Sequence, residues 1–173
     1  MPPSIGADWE TVGLVAEADH ALGRLEGTAR ELRTPYLLIG PLQRREAIVS
    51  SRIEGTFTTA EKLVLFEAVE RLTDPDSQQA ADTREVHNYV RALQHGLSQL
   101  PTMPVCLRLI REMHGILLAE VRGSDRRPGE FRTQQNAIGK EGDRPSDARF
   151  VPPPPGPELE AALDALEKVS PCR

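Results

Sequence analysis

Between Asp8 and Leu32 the apolar residues Val15, Ala18, Leu22, Leu25, Ala29 and Leu32 recur at spacings of 3, 4, 3, 4 and 3. That spacing gathers them on one stripe of a helix and would scatter them over both faces of a strand. The segment can therefore bury them only as a helix lying along one side of a partner. The same periodicity returns downstream. Leu42 to Glu54 reads as a second helix, and a short Tyr36-Leu37-Leu38-Ile39 segment closed by Gly40-Pro41 is expected to plug the core before it. A third helix follows Thr58, whose hydroxyl can cap it while Glu61 returns the bond. It would bury Leu63, Leu65, Phe66, Val69 and Leu72, and Asp74-Pro75-Asp76 would end it. Gln79 to Leu97 and Val105 to Val121 make a fourth and a fifth, and Pro157 opens a last one that runs through Leu166.

One region breaks the pattern. Arg122 to Pro155 is rich in Gly, Pro, Arg and Asp, with short mixed segments at Gln135 to Gly139 and Ala148 to Val151 around a polar turn. This is compatible with one β-hairpin. The four prolines 152–155 cannot continue a central strand. The fold class expected is all-α with one short hairpin.

Composition excludes several functions. The net charge is −5 and the Lys and Arg residues are spread along the chain, which argues against a nucleic-acid binder. No apolar run reaches the ~18 residues that a membrane span requires. Met1-Pro2-Pro3-Ser4 has no basic-then-apolar leader, so a cytoplasmic location is expected. Cys106 and Cys172 make neither a metal spacing nor a disulfide framework, and no metal site is expected. Of the four histidines, His114 lies on an apolar helix and reads as structural. His87 and His95 are eight apart with no acidic companion at ligand spacing, and His20 reads as solvated. No Ser-His-Asp arrangement or phosphate-cradling loop is present, so no catalytic residue is assigned.

The stretch Ser50-Ser51-Arg52-Ile53-Glu54-Gly55-Thr56 stands apart. Gly55 suits the left-handed exit of a helix, which leaves Glu54 at a carboxyl end, where the macrodipole disfavours an anion. An acid there asks for a cationic partner. Ser50 and Glu54, four apart, share a face. This Ser-x-x-x-Glu-Gly pattern resembles the inhibitory motif of the Fic family, the protein adenylyltransferases. About 80 residues on, Arg127-Pro128-Gly129-Glu130-Phe131-Arg132 running into Gln135, Asn136, Ala137, Ile138 and Gly139, with Phe150-Val151-Pro152 later, resembles that family's β-hairpin flap.

The resemblance implies a Fic-like helical core, with residues 1–100 as an N-terminal helical domain carrying the inhibitory helix and 101–173 as the start of the core with its flap. It implies that Ser50, Glu54 and Gly55 belong to the nucleotide site, where the glutamate pairs with an arginine and keeps ATP from binding productively. It implies that Gln135 to Gly139 with Phe150 and Val151 bind the segment of a target protein whose hydroxyl receives AMP, by main-chain pairing. ATP and Mg²⁺ are the family's cofactors. The family's catalytic motif, His-Pro-Phe-x-x-Gly-Asn-Gly-Arg-x-x-Arg, does not occur in the sequence. The chain thus looks like a Fic protein that ends before its active site, and no cofactor or activity is expected for it alone. The alternative function is an antitoxin-like module that inhibits a separate Fic protein in trans. A Fic partner or a second copy of the chain are the partners so implied.

Overall fold

The computed structural model describes residue 6 and residues 8–34, 36–69, 77–139 and 147–169. Six α-helices lie among the described residues: α1 (Trp9–Glu31), α2 (Tyr36–Ile53), α3 (Ala60–Val69), α4 (Gln78–Gln99), α5 (Leu107–Leu117) and α6 (Pro157–Val169). The chain divides into two compact units, Met1–Glu46 and Ala47–Arg173, with the division inside α2.

In the first unit α1 starts where Asp8 Oδ1 accepts the Thr11 N–H at 2.7 Å. That bond draws the Asp8 carboxyl below its usual range. No residue of α1 is buried. Its stripe is helical, as its spacing requires, but the burial expected of it is not found among the described residues. Leu37, Leu38 and Ile39 are exposed as well, so the expected plug is corrected: these residues are the first turn of α2. Pro41 lies inside that helix rather than before it. The ring fixes φ near the helical value, so continuing through it forfeits one bond, the one to the Leu37 carbonyl, and the helix is not forced to stop.

The second unit is organised by α4, which packs against both α3 and α5. Ser77 caps α4 by accepting the Ala80 N–H at 3.2 Å. Ala47 and Ile48 of α2, Leu63 of α3, and Val86 and Val90 of α4 form the core, with Tyr89 packed against it. Leu63 and Val86 are fully buried, and each such side chain stabilises the fold by about 1.5–3 kcal/mol. On α3 only Leu63 and Phe66 are buried; Leu65 and Val69 are exposed, Leu72 and the expected stop at 74–76 lie outside the described residues. Thr59, not Thr58, starts α3, since its carbonyl and hydroxyl accept from Leu63 and Lys62.

The sequence of α5 supplies no cap of its own, and other helices complete its ends. Cys106 at its start makes no capping bond. Instead Glu167 of α6 accepts the Leu107 N–H at 2.8 Å. Asn88 of α4 donates to the carbonyls of Leu117 and Ala119 at 3.3 and 2.8 Å. Orphan groups at both ends are thereby satisfied.

No strand occurs among the described residues. The expected hairpin between Gln135 and Val151 is corrected to a single antiparallel bridge, Ile138 to Phe150, with paired bonds of 2.8 and 3.1 Å. The prolines give the physical reason. Pro152 and Pro153 have no N–H to extend a ladder, and their carbonyls accept from side chains, Gln135 Nε2 and Arg132 Nη2. The turn expected at Lys140 to Arg144 lies outside the described residues.

Candidate functional site

The end of α2 is built as its sequence implies. Gly55 has φ +82°, the left-handed conformation that an L side chain rarely adopts. The Thr56 N–H bonds to the Ser51 carbonyl and the Gly55 N–H to that of Arg52, both at 3.1 Å. These two bonds form a Schellman motif, in which Glu54 is the C-cap residue. Beyond it the backbone is stitched to α4. Asp82 accepts the Phe57 N–H at 2.8 Å and is steadied by Gln78 at 2.6 Å. The Thr83 hydroxyl donates to the Gln79 carbonyl, and so it accepts from the Thr58 hydroxyl, both at 2.8 Å.

The strongest stitch is at Thr56, which is buried. Its hydroxyl donates to Glu85 Oε2 at 2.9 Å and accepts from Arg122 Nη2 at 3.0 Å. Arg122 also grips Glu85 side-on through one edge of its guanidinium, Nε to Oε1 at 2.7 Å and Nη2 to Oε2 at 2.8 Å. A two-pronged pair of this kind fixes orientation as well as charge. The Arg122 guanidinium holds the Glu85 carboxyl below its usual range, burial works against that, and the Thr56 hydroxyl adds to the lowering. Glu85 in turn raises Arg122 above its ordinary value.

An open groove of about 680 Å³ runs over this network. It is lined by Ser50, Ser51, Glu54 and Thr56 from the end of α2, by Glu85 and Tyr89 of α4, and by Leu117 of α5 with Leu118, Val121 and Arg122 after it. Ser50 is half-buried and Glu54 exposed. No hydrogen bond or ion pair of the Glu54 side chain is found among the described residues. Arg122, the arginine that lines the groove, is committed to Glu85. The groove thus presents a carboxylate at a helix carboxyl end, with no cation bonded to it among the described residues.

Of the predicted residues, Ser50 and Glu54 line this groove, while Gly55 shapes the turn between Glu54 and Thr56 and does not line it. The other predicted residues, Gln135 to Gly139, Phe150 and Val151, are exposed and do not line it. Sequence reasoning missed Thr56, Glu85 and Arg122. They are separated by 29, 37 and 66 positions, so no local spacing joins them. The one available signal was a threonine directly after the helix-ending glycine.

The family model described as Fic/DOC family N-terminal matches residues 12–98, just over half of the chain. The chain belongs to the Fic/DOC family. In this Fic/DOC chain the matched span includes Ser50, Glu54, Gly55, Thr56 and Glu85. Arg122 and the segment from Gln135 onward lie beyond it. No helix among the described residues is long and apolar enough to cross a membrane.

Proposed function

We propose that the chain is the N-terminal regulatory portion of a Fic-type protein adenylyltransferase. In this reading Glu54 is the inhibitory acid and the groove beside it is where Glu54 and the ATP phosphates would compete for the catalytic arginine. The single observation that carries the proposal is the exposed Glu54 carboxylate, fixed at the C-cap of α2 on an open groove and without a cation among the described residues. A carboxylate at the negative end of a helix is mildly disfavoured by the macrodipole, which supports an arginine as its partner. Ser50, one turn earlier on the same wall, would contact the same partner. ATP and Mg²⁺ would bind with the His-Pro-Phe-x-x-Gly-Asn-Gly-Arg-x-x-Arg segment, which this sequence does not contain. Phosphate oxygens suit the main-chain N–H groups of such a glycine-rich loop at a helix start. The exposed backbone beside the Ile138–Phe150 bridge, at Ala137, Gly139 and Val151, would receive an extended target segment bearing the acceptor hydroxyl.

The purified chain with ATP and Mg²⁺ should transfer no AMP. Joined to a segment carrying the catalytic motif, it should label weakly. Glu54→Gly should raise labelling clearly, whereas Ser51→Ala should change it little. Equal labelling by the joined wild type and Glu54→Gly, with both folded, would reduce Glu54 to an ordinary helix-end acid.

A further inference from the structure

Both backbone polar groups of Gly129 are taken by one face of α5. Its N–H donates to His114 Nδ1 at 2.9 Å, and its carbonyl accepts from Arg111 Nε at 2.7 Å. The Arg111 guanidinium also lies over the Phe131 ring, 5.5 Å from its centre. Glycine is required for this seat. Gly129 has φ +82°, and a Cβ there would sit 3.1 Å from the Arg111 carbonyl oxygen, a backbone atom that cannot easily give way. Arg127 pairs with Glu130 across the same turn. From this seat the chain leaves through Phe131 and Arg132 towards Gln135 and the bridge at Ile138.

The chemistry of the His114 bond is specific. A backbone N–H can only donate, so Nδ1 must be the lone-pair nitrogen and the imidazole proton sits on Nε2. A second proton would turn Nδ1 into a donor facing another donor, and the bond would be lost. We propose that His114 is the positioning residue for the segment Phe131 to Gly139, seating the Gly129 turn on α5 as the neutral imidazole and releasing it when the ring takes a second proton. The link to target presentation rests on reading that segment as the flap; the seating itself does not.

The charged groups around this corner are few. Arg111 lies one turn before His114 on α5, and Arg127 and Glu130 are in the turn. Helix α4, packed on α5, carries Asp82, Arg84, Glu85, His87, Arg91 and His95; Asp82 accepts from Phe57 and Gln78, Glu85 is held by Arg122 and His95 by Glu112. Helix α6 meets the far end of α5 through Glu167.

The test is nuclear magnetic resonance on the full chain, reading the His114 ring nitrogens and the exchange of the Gly129 amide. Nδ1 should show the unprotonated signature. The Gly129 amide should exchange about tenfold more slowly in wild type than in His114→Ala, the protection one hydrogen bond gives. In wild type that protection, corrected for intrinsic exchange, should fall in step with protonation of the ring. His114→Asn, whose Oδ1 stands near the Nδ1 position and does not titrate, should keep the protection through the same pH range. Amides of Val86 to Val90 report whether each variant is folded. A proton on Nδ1, or Gly129 protection indifferent to His114→Ala or to ring protonation, overturns the proposal. If His114→Ala does not fold, the wild-type and His114→Asn curves decide alone, and identical curves overturn it. None of these readouts involves AMP transfer, so a failed flap reading leaves them intact, and their failure leaves the Glu54 reading intact.

Discussion

The turn that ends α2 and the described residues between Phe131 and Pro153 both lie outside the helices, yet they are held in opposite ways. The first is sewn into the helical unit residue by residue. Thr56, Phe57 and Thr58 each bond a different residue of α4, and Arg122 closes the row from beyond α5. Among its described residues the second is seated at Gly129, and its further ties include the single backbone bridge and side-chain bonds to two proline carbonyls. The difference follows from where each polar group can find a partner. Thr56 and Thr58 are buried and must be satisfied inside the unit. Ile138 and Phe150 are exposed, and water can serve their neighbours. On the proposed reading, a carboxylate that is to meet an arginine would gain from a fixed position, because less entropy is lost when the partner docks, and a backbone edge that is to receive an extended segment would gain from groups left unpaired.

The comparison can be broken first at Thr83, where the largest effect is expected. Thr83→Val keeps the shape but removes the acceptor for the buried Thr58 hydroxyl. Urea unfolding should show a loss of about 1–3 kcal/mol, the cost of an unsatisfied buried group. An unchanged midpoint would mean that the stitches do not hold the turn.

Acid should loosen the same region more gently. Glu85 titrates below its ordinary value in the folded chain. As pH falls, the unfolded chain therefore takes up the proton first. The stabilisation is complete above the unfolded value and is lost as pH drops through the folded one. Thermal midpoints of wild type should decline over that range more than those of Glu85→Gln, which has no carboxylate to titrate. Parallel curves would separate Glu85 from the acid sensitivity of the fold. The smallest effect belongs to the other region. Ile138→Ala should change stability by no more than about 0.5 kcal/mol, as exposed substitutions away from special features do. A larger loss in urea unfolding would show the bridge to be a structural anchor and erase the contrast.

What was legible in the sequence was whatever is local. The spacing of α1, α4 and α5 gave their helical state, and Gly55 gave the left-handed exit that places Glu54 at the C-cap. Gly40-Pro41 misled because proline is costly inside a helix but not forbidden, and α2 runs through it. Thr58 was a reasonable cap by pattern, but its hydroxyl has a better partner in Thr83, twenty-five positions away. The pairing of Ile138 with Phe150 falls within the two segments that were read as strands, while the prolines kept it from becoming a ladder. The groove itself was invisible. It exists because α4 carries Glu85 between the turn at Thr56 and the cation at Arg122, and only the packing of α3 and α5 on α4 brings those three together.

The most direct measurement is the affinity for ATP with Mg²⁺, by calorimetry, of the chain joined to a segment bearing the catalytic motif. A charge-assisted bond from Glu54 to an arginine is worth about 1.5–3 kcal/mol. Glu54→Gly should therefore tighten ATP binding by roughly ten- to a hundredfold, while Ile138→Ala leaves it unchanged. Equal affinities for wild type and Glu54→Gly would contradict the claim that the end of α2 presents an inhibitory acid.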